Sequence, residues 1–202
     1  HRYTFPASKK AVIRFDLAYS NGSRLLECWF KKLNDSTYVG SRFSTGYADD
    51  KRVFFAIRTS KPVDDVVLFA DTTKVKSKEE VHAVGAKSCL VFSTREGEQV
   101  LIKVALSFVD ADGALQGLEE IQDWDFERVK NEAESAWENE LQKIRVSSDD
   151  NTFKKIFYTA VYHCYLSSAR FDDANGNYRG ADGHIHKDSP IYSEFGLWDS
   201  FR

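Results

Sequence analysis

Methionine is absent from the 202 residues, and cysteine and proline occur only three times each. Cys28, Cys89 and Cys164 are spaced too widely for a CxxC metal or redox motif and set up no disulfide framework. Each lies in an apolar run, so each is expected as a buried free thiol. Basic charge is not in excess: 28 Lys and Arg stand against 31 Asp and Glu, for a net charge of −3. Nothing here would neutralise a phosphate backbone, which argues against nucleic acid as a partner. No apolar run approaches the roughly 18 residues that cross a bilayer as a helix. Also missing are G-x-S-x-G, the P-loop, G-x-G-x-x-G, internal repeats and low-complexity tracts. The chain opens on His1-Arg2-Tyr3-Thr4-Phe5-Pro6, already the sequence of a folded domain, and stops at Arg202 behind an aromatic run. Both ends read as cut, so the chain is expected to be an internal piece of a longer protein.

What is present is apolar enough to fold. The chain is 42% hydrophobic and 14% aromatic, sufficient for a sizeable core. The first ~120 residues read as strands. Ala11, Ile13, Phe15 and Leu17 share one face and Arg14 and Asp16 the other, the period of a half-buried strand. Leu25 to Phe30, Thr37 to Phe43, Val53 to Thr59, Val66 to Ala70 and Leu90 to Ser93 are further β-branched or aromatic runs. In Val100 to Val109 the pattern puts Ile102, Val104, Leu106 and Phe108 on the apolar face, with Lys103, Ala105 and Ser107 opposite. The charged stretch Lys78 to Val84 is expected as a short helix. Many short strands separated by turns argue a sandwich or barrel.

The period changes at Asp125. Phe126, Val129, Ala133, Trp137, Leu141 and Ile144 form one helical stripe, capped by Asp123 or Asp125. A second helix follows, with Phe153, Ile156, Phe157, Ala160, Val161, Cys164 and Tyr165 on one side. Its apolar stripe should be left exposed in the isolated chain, which is expected to dimerise or to fold that stripe onto the sandwich. Phe171 to Ser193 reads as a long polar loop of the kind that is commonly functional. The division by sequence is a β-sandwich domain over 1–122, a helical linker over 123–147 and the start of a helical domain over 148–202, since strands followed by helices suggest separate domains.

Three features carry candidate chemistry. Asp172-Asp173-Ala174-Asn175-Gly176 invites a calcium loop, but the EF-hand offsets place Phe171 first and Asp182 twelfth, so a plain Asx/Gly turn is the better reading. His184 and His186, near Asp188 and His163, lack a third zinc ligand at a recognised spacing; solvent-facing or substrate-facing loop histidines are expected. Trp198-Asp199 places an acid among apolar neighbours, where it must be paired or used. Local sequence leaves open an ion pair with Arg202 and a role in binding sugars, which meet aromatic faces with their C–H groups and carboxylates with their hydroxyls.

Several stretches resemble glycoside hydrolase family 92, in that family's order. Val53 to Pro62 resembles its strand followed by Ser-Lys-Pro. Lys103-Val104-Ala105-Leu106-Ser107-Phe108-Val109 resembles its KVAISYV strand. Trp124-Asp125-Phe126 and Ala136-Trp137 resemble its connector, and Phe157 to His163 its first catalytic-domain helix. Asp173 to Gly180 is similar to its D-x-x-G-x-Y-x-G turn, Leu197-Trp198-Asp199-Ser200-Phe201-Arg202 to its LWDTYR signature, and His1 to Leu17 to its early strand. Ser200, Phe201 and Gly196 depart from the commoner Thr, Tyr and Ser, and Ser167 to Arg170 lacks a frequent Pro.

The resemblance implies an N-terminal supersandwich-like β-sandwich, a helical linker and the first helical segment of an (α/α)6 barrel. It implies an inverting exo-α-mannosidase, of α-1,2 type, taking terminal mannose from N-glycans or mannans. A bound Ca2+ would contact the sugar and help distort it, and the parent would be secreted, periplasmic or on the cell surface of a bacterium. Trp198 and Asp199 carry over as mannose contacts. The catalytic acid and base and the calcium ligands are expected outside this chain, which would be inactive alone. The alternative is a non-catalytic carbohydrate-binding or structural sandwich module.

Overall fold

The computed structural model describes residues 1–46, 49–166, 168–188 and 190–193. Two compact units are present, His1–Trp124 with Asp172–Ser189, and Asp125–Phe171 with Pro190–Arg202. The fold is mainly β with a few helices, as the sequence pattern indicates.

The first unit is an antiparallel β-sandwich. One sheet has six strands in the order β1 (Arg2–Phe5), β10 (Glu98–Ser107), β5 (Lys51–Thr59), β4 (Thr37–Thr45), β3 (Arg24–Lys32) and β8 (Glu80–Ala83). The other has four, β2 (Ser8–Asp16), β9 (Ala86–Thr94), β6 (Asp65–Ala70) and β7 (Thr73–Lys74). The apolar alternation explains the layering. Ala11 and Ile13 of β2, Leu90 and Phe92 of β9, and Val66 and Leu68 of β6 meet Cys28, Phe30, Tyr38, Ile57, Val100 and Ile102 of the larger sheet in one core. Burial raises the Tyr38 phenol, which donates to the Asp35 carbonyl at 3.1 Å, well above its ordinary pKa.

Close packing inside this core dictates one glycine. Gly40 of β4 lies opposite Phe30 on one side and Phe55 on the other. A Cβ there would sit 2.2 Å from the Trp29 carbonyl oxygen and 2.4 Å from a ring carbon of Phe55. The bare backbone lets the Phe55 ring lie across the strand.

The outer face of the six-stranded sheet is also covered. Helix α1 (Ala111–Gly117) continues into a 3-10 turn, Leu118–Glu120. Ala114 and Leu118 pack on Val39 and Ala56, with Trp29 and Ala105 beside them. Asp110 caps the helix by accepting from the Gly113 amide at 2.7 Å. The Arg58 guanidinium reaches Glu119 at 2.8 Å. Lys103 donates to the Ile121 carbonyl and lies 4.5 Å from the Trp124 ring centroid.

This helix corrects the face expected for β10. Ala105 and Ser107 turn toward the helix side, and Ser107 is fully buried, whereas Val104 and Leu106 are 42% and 60% exposed. A second correction concerns Lys78 to Val84, which forms no helix. Val81 is drawn into the core as the inward residue of β8, with Glu80 and His82 outward, because β8 extends the sheet beside β3. Of the thiols, Cys28 is buried, Cys89 is half-buried on the outer side of β9, and Cys164 is exposed.

In the second unit α2 (Phe126–Leu141) and α3 (Asn151–Tyr165) start where acids cap them: Asp125 accepts from Arg128, and Asp150 from Thr152 and Phe153. Trp137 meets Tyr162 edge-on at 4.6 Å. Tyr158 donates its hydroxyl to the Ile144 carbonyl at 3.3 Å. Neither helix has a buried residue, and Phe153 and Ile156 are among the exposed apolar side chains.

Replacing Gly40 with alanine must displace the Trp29 backbone or the Phe55 ring. The expected loss is about 1–3 kcal/mol, read as a lowered urea midpoint. An unchanged midpoint would show that the strand packing is looser than these distances require.

Candidate functional site

Trp198 and Asp199 lie outside the described residues. The polar segment that leads toward them is described as far as Ser193 (Ser189 excepted), and it is not a structureless loop. Residues Asn177–Arg179 (β11) and Ile185–Lys187 (β12) form a hairpin. Further on, Arg170 and Tyr192 make an isolated antiparallel bridge. A division by sequence position keeps 172–189 with the helices, but in the structure this stretch groups with the sandwich.

Two side chains explain that grouping. The first is Asp173, at 8% exposure the one buried charged side chain among the described residues. Ser107 donates its hydroxyl to Asp173 Oδ2 at 2.7 Å, and the same hydroxyl accepts from the Val109 and Asp110 amides at 2.9 and 3.2 Å. Asp173 Oδ2 lies where a Cβ on Gly113 would come within 2.1 Å, so the helix can pass only as glycine. Burial pushes the Asp173 carboxyl above the usual carboxylate range; the Ser107 hydrogen bond opposes this, and nearby Asp110 and Asp172 add to it.

The second is Arg179. Its Nε donates to the Phe108 carbonyl at 3.1 Å, Nη2 to the Val109 carbonyl at 3.0 Å and Nη1 to the Gly183 carbonyl at 2.9 Å. One guanidinium thus ties the hairpin turn to the chain leaving β10. Asn175 adds a bond to Gln116 at 3.0 Å. Asp173 to Gly176 is the turn expected of its sequence: Gly176 N donates to the Asp173 carbonyl at 2.8 Å and Asn177 N to Asn175 Oδ1 at 2.9 Å.

The histidines divide. His184 and His186 sit on the hairpin around Asp182, with His186 Nε2 2.9 Å from Asp182 Oδ2 and His184 Nδ1 3.6 Å from it. His163 belongs to the last turn of α3. Among the described residues, no group of three or more His, Cys, Asp or Glu is placed to hold a metal ion. The sequence reading misses Asp173, Ser107 and Arg179 as a clasp. Ser107 and Asp173 are 66 positions apart, and no local pattern reports such a pairing.

The clasp predicts a pH effect with a defined sign. A carboxyl whose folded pKa is raised stabilises the fold below its unfolded pKa, about 3.9, and that contribution is lost as pH rises through the folded value. Asp173→Asn removes this loss. Its stability relative to the parent sequence should therefore improve on going from pH 4 to pH 7, as followed by urea unfolding. Ser107→Ala deprives a buried carboxyl and two amides of their partner and should lose about 1–3 kcal/mol. A variant difference independent of pH would contradict the raised carboxyl.

Comparison with known proteins extends these observations. Residues 1–107 match the family model of the glycosyl hydrolase family 92 N-terminal domain, and residues 113–202 that of the family 92 catalytic domain. The structure superposes on a family 92 α-mannosidase from Bacteroides thetaiotaomicron with a TM-score of 0.93 and 31% identity, over 100% of this chain and 28% of that one. The same figures hold for that enzyme in complex with mannoimidazole. An inverting mannosidase of the family from Bacteroides thetaiotaomicron, at 24% identity and a TM-score of 0.84, shares the fold. A curated relative, an uncharacterized secreted glycosidase of Arthroderma benhamiae, is 35% identical over 82 residues, 38% of this chain and 11% of its own length. The chain thus spans little more than a quarter of the solved relatives it matches. With one family model covering more than half of its length and a second model following in order, the chain belongs to glycosyl hydrolase family 92.

Proposed function

We propose that the parent protein is a secreted exo-α-mannosidase that hydrolyses terminal mannose, α-1,2-linked, from N-glycans or mannans with inversion and with Ca2+ as cofactor. The observation that carries this reading is the superposition of the whole chain on a family 92 α-mannosidase at 31% identity. The mannoimidazole complex of that relative supports a mannose-shaped site. The name of the Arthroderma benhamiae relative supports secretion. No helix of the described residues is long and apolar enough to cross a membrane.

In this reading Trp198 stacks on the C–H face of the terminal mannose and Asp199 accepts its hydroxyl protons. Inversion needs an acid and a base roughly 6.5–9.5 Å apart, the acid protonating the leaving oxygen while the base activates water on the opposite face. These carboxyls are assigned to the parent beyond residue 202. Calcium takes oxygen ligands and polarises the sugar. Its ligands, like the acid and base, are assigned to parts of the parent outside this chain.

The test is a glycosidase assay of the parent and of this chain, with the product anomer followed by proton NMR. The parent should release β-mannose, lose activity with a calcium chelator and regain it with Ca2+, and this chain should release nothing. Asp199→Asn in the parent should lower kcat/KM about 10–150-fold, the equivalent of a charged hydrogen bond worth ~1.5–3 kcal/mol. No mannose release by the parent would overturn the reading; release by this chain would show that the acid and base lie within it.

The exposed apolar side of α3 (Phe153, Ile156 and Tyr165) supports self-association of the isolated chain. Sedimentation should show dimers that dissociate in Ile156→Lys. A monomer at all concentrations would refute the association.

A further inference from the structure

The hairpin β11–β12 carries further side chains beside those that tie it to the sandwich. Tyr178 and His186 are directly opposite in the register. Their rings stack with centroids 5.5 Å apart and planes at 30°. His186 Nε2 lies 3.0 and 2.9 Å from the two oxygens of Asp182. Asp182 also accepts from the His184 amide at 3.0 Å. These bonds, His186 first, hold the Asp182 carboxyl below its usual pKa, so it is an anion at neutral pH. The side chains of Asp182, His184 and His186 are 52%, 81% and 43% exposed.

Closing the turn does not rest on these groups alone, although the Asp182 carboxylate contributes through the His184 amide. Gly183 N already donates to the Gly180 carbonyl at 2.9 Å and Gly180 N to the His184 carbonyl at 2.9 Å. Arg179 fixes Gly183 from the other direction at 2.9 Å. The hairpin is therefore held by backbone bonds, Arg179 and Asp173. An aromatic pair, imidazoles and an ionised carboxylate are left standing on a rigid support, which lowers the ordering cost of binding a ligand.

We propose that this patch is a sugar-contact surface, separate from the Trp198-Asp199 motif in sequence, that takes a hexopyranoside unit of the glycan. The C–H face of the ring lies against the Tyr178–His186 pair. Two vicinal hydroxyls donate to Asp182, exchanging with the His186 bond. The glycoside hydrolase reading supplies only the ligand class; the geometry supplies the place. Tyr178 is half-buried, so the pair offers a single part-exposed platform that binds weakly, and the expected affinity is millimolar.

The test is an NMR titration of this chain with methyl α-mannoside and with α-1,2-mannobiose, with assigned amide and imidazole resonances. Saturable shifts are expected at Tyr178, Asp182 and His186. They should weaken at least about tenfold in Tyr178→Ala and in Asp182→Asn, while the dispersed amides of Asn177 and Arg179 report that the hairpin remains folded. Silence of these resonances at tens of millimolar sugar, or shifts that persist in both variants, would overturn the proposal. Mannose release by the parent, measured separately, keeps the two readings apart. An active parent with a silent hairpin removes this patch and leaves the enzyme reading. A responding hairpin on an inactive parent does the reverse.

Discussion

Burying both faces of one six-stranded sheet is the constraint on which the sandwich unit depends. Its inner face meets the four-stranded sheet through Phe30, Tyr38, Leu90 and Phe92. Its outer face would present Val39, Ala56 and Ala105 to water without α1 and the Leu118 turn. Covering that second face brings the end of β10 close to the helix start. There Ser107 and Gly113 leave room for one carboxyl, and Asp173 fills it. A carboxyl buried beside two other acids is tolerable only because a hydroxyl meets it and its pKa rises. The hairpin that follows is thereby fixed to the sandwich, and Arg179 secures it with three backbone carbonyls.

This arrangement gives a physical account of how sequence matched by the catalytic-domain model contributes to the first unit. The match to the catalytic-domain model begins at residue 113, inside α1. That helix and the later hairpin both pack with the β-sandwich unit. The boundary between the two family models is therefore not a boundary of packing. Buried contacts, rather than order along the chain, decide where each segment belongs.

Much of this architecture was legible in the residues, and the failures have identifiable causes. Alternation over Ala11 to Leu17 reported its buried face because one side of β2 meets the core. The helices α2 and α3 were legible because Asp125 and Asp150 are local caps and the apolar period is long. Where burial comes from a distant element, the local pattern misled. The face of β10 was inverted at Val104 and Leu106 because α1, seven residues long, gave no clear period. The strand β8 was hidden by the charge of Lys78, Glu79 and Glu80, although Val81 alone needed burial. Cys164 read as buried on the stripe of α3 and is exposed. Of the candidate site, Trp198 and Asp199 came from motif resemblance. The Asp173 clasp and the Tyr178–His186–Asp182 patch could be seen only once the hairpin had been placed in space.

The central claim is that this chain supplies half of a mannose site whose acid and base lie elsewhere in the parent. A crystal structure of the parent with a mannose-shaped inhibitor and Ca2+ tests it most directly. The account predicts a sugar touched by Trp198 and Asp199, with both catalytic carboxyls contributed by residues beyond 202 and all calcium ligands by residues outside positions 1–202. A sugar held away from these two residues, or a catalytic carboxyl drawn from positions 1–202, would contradict it.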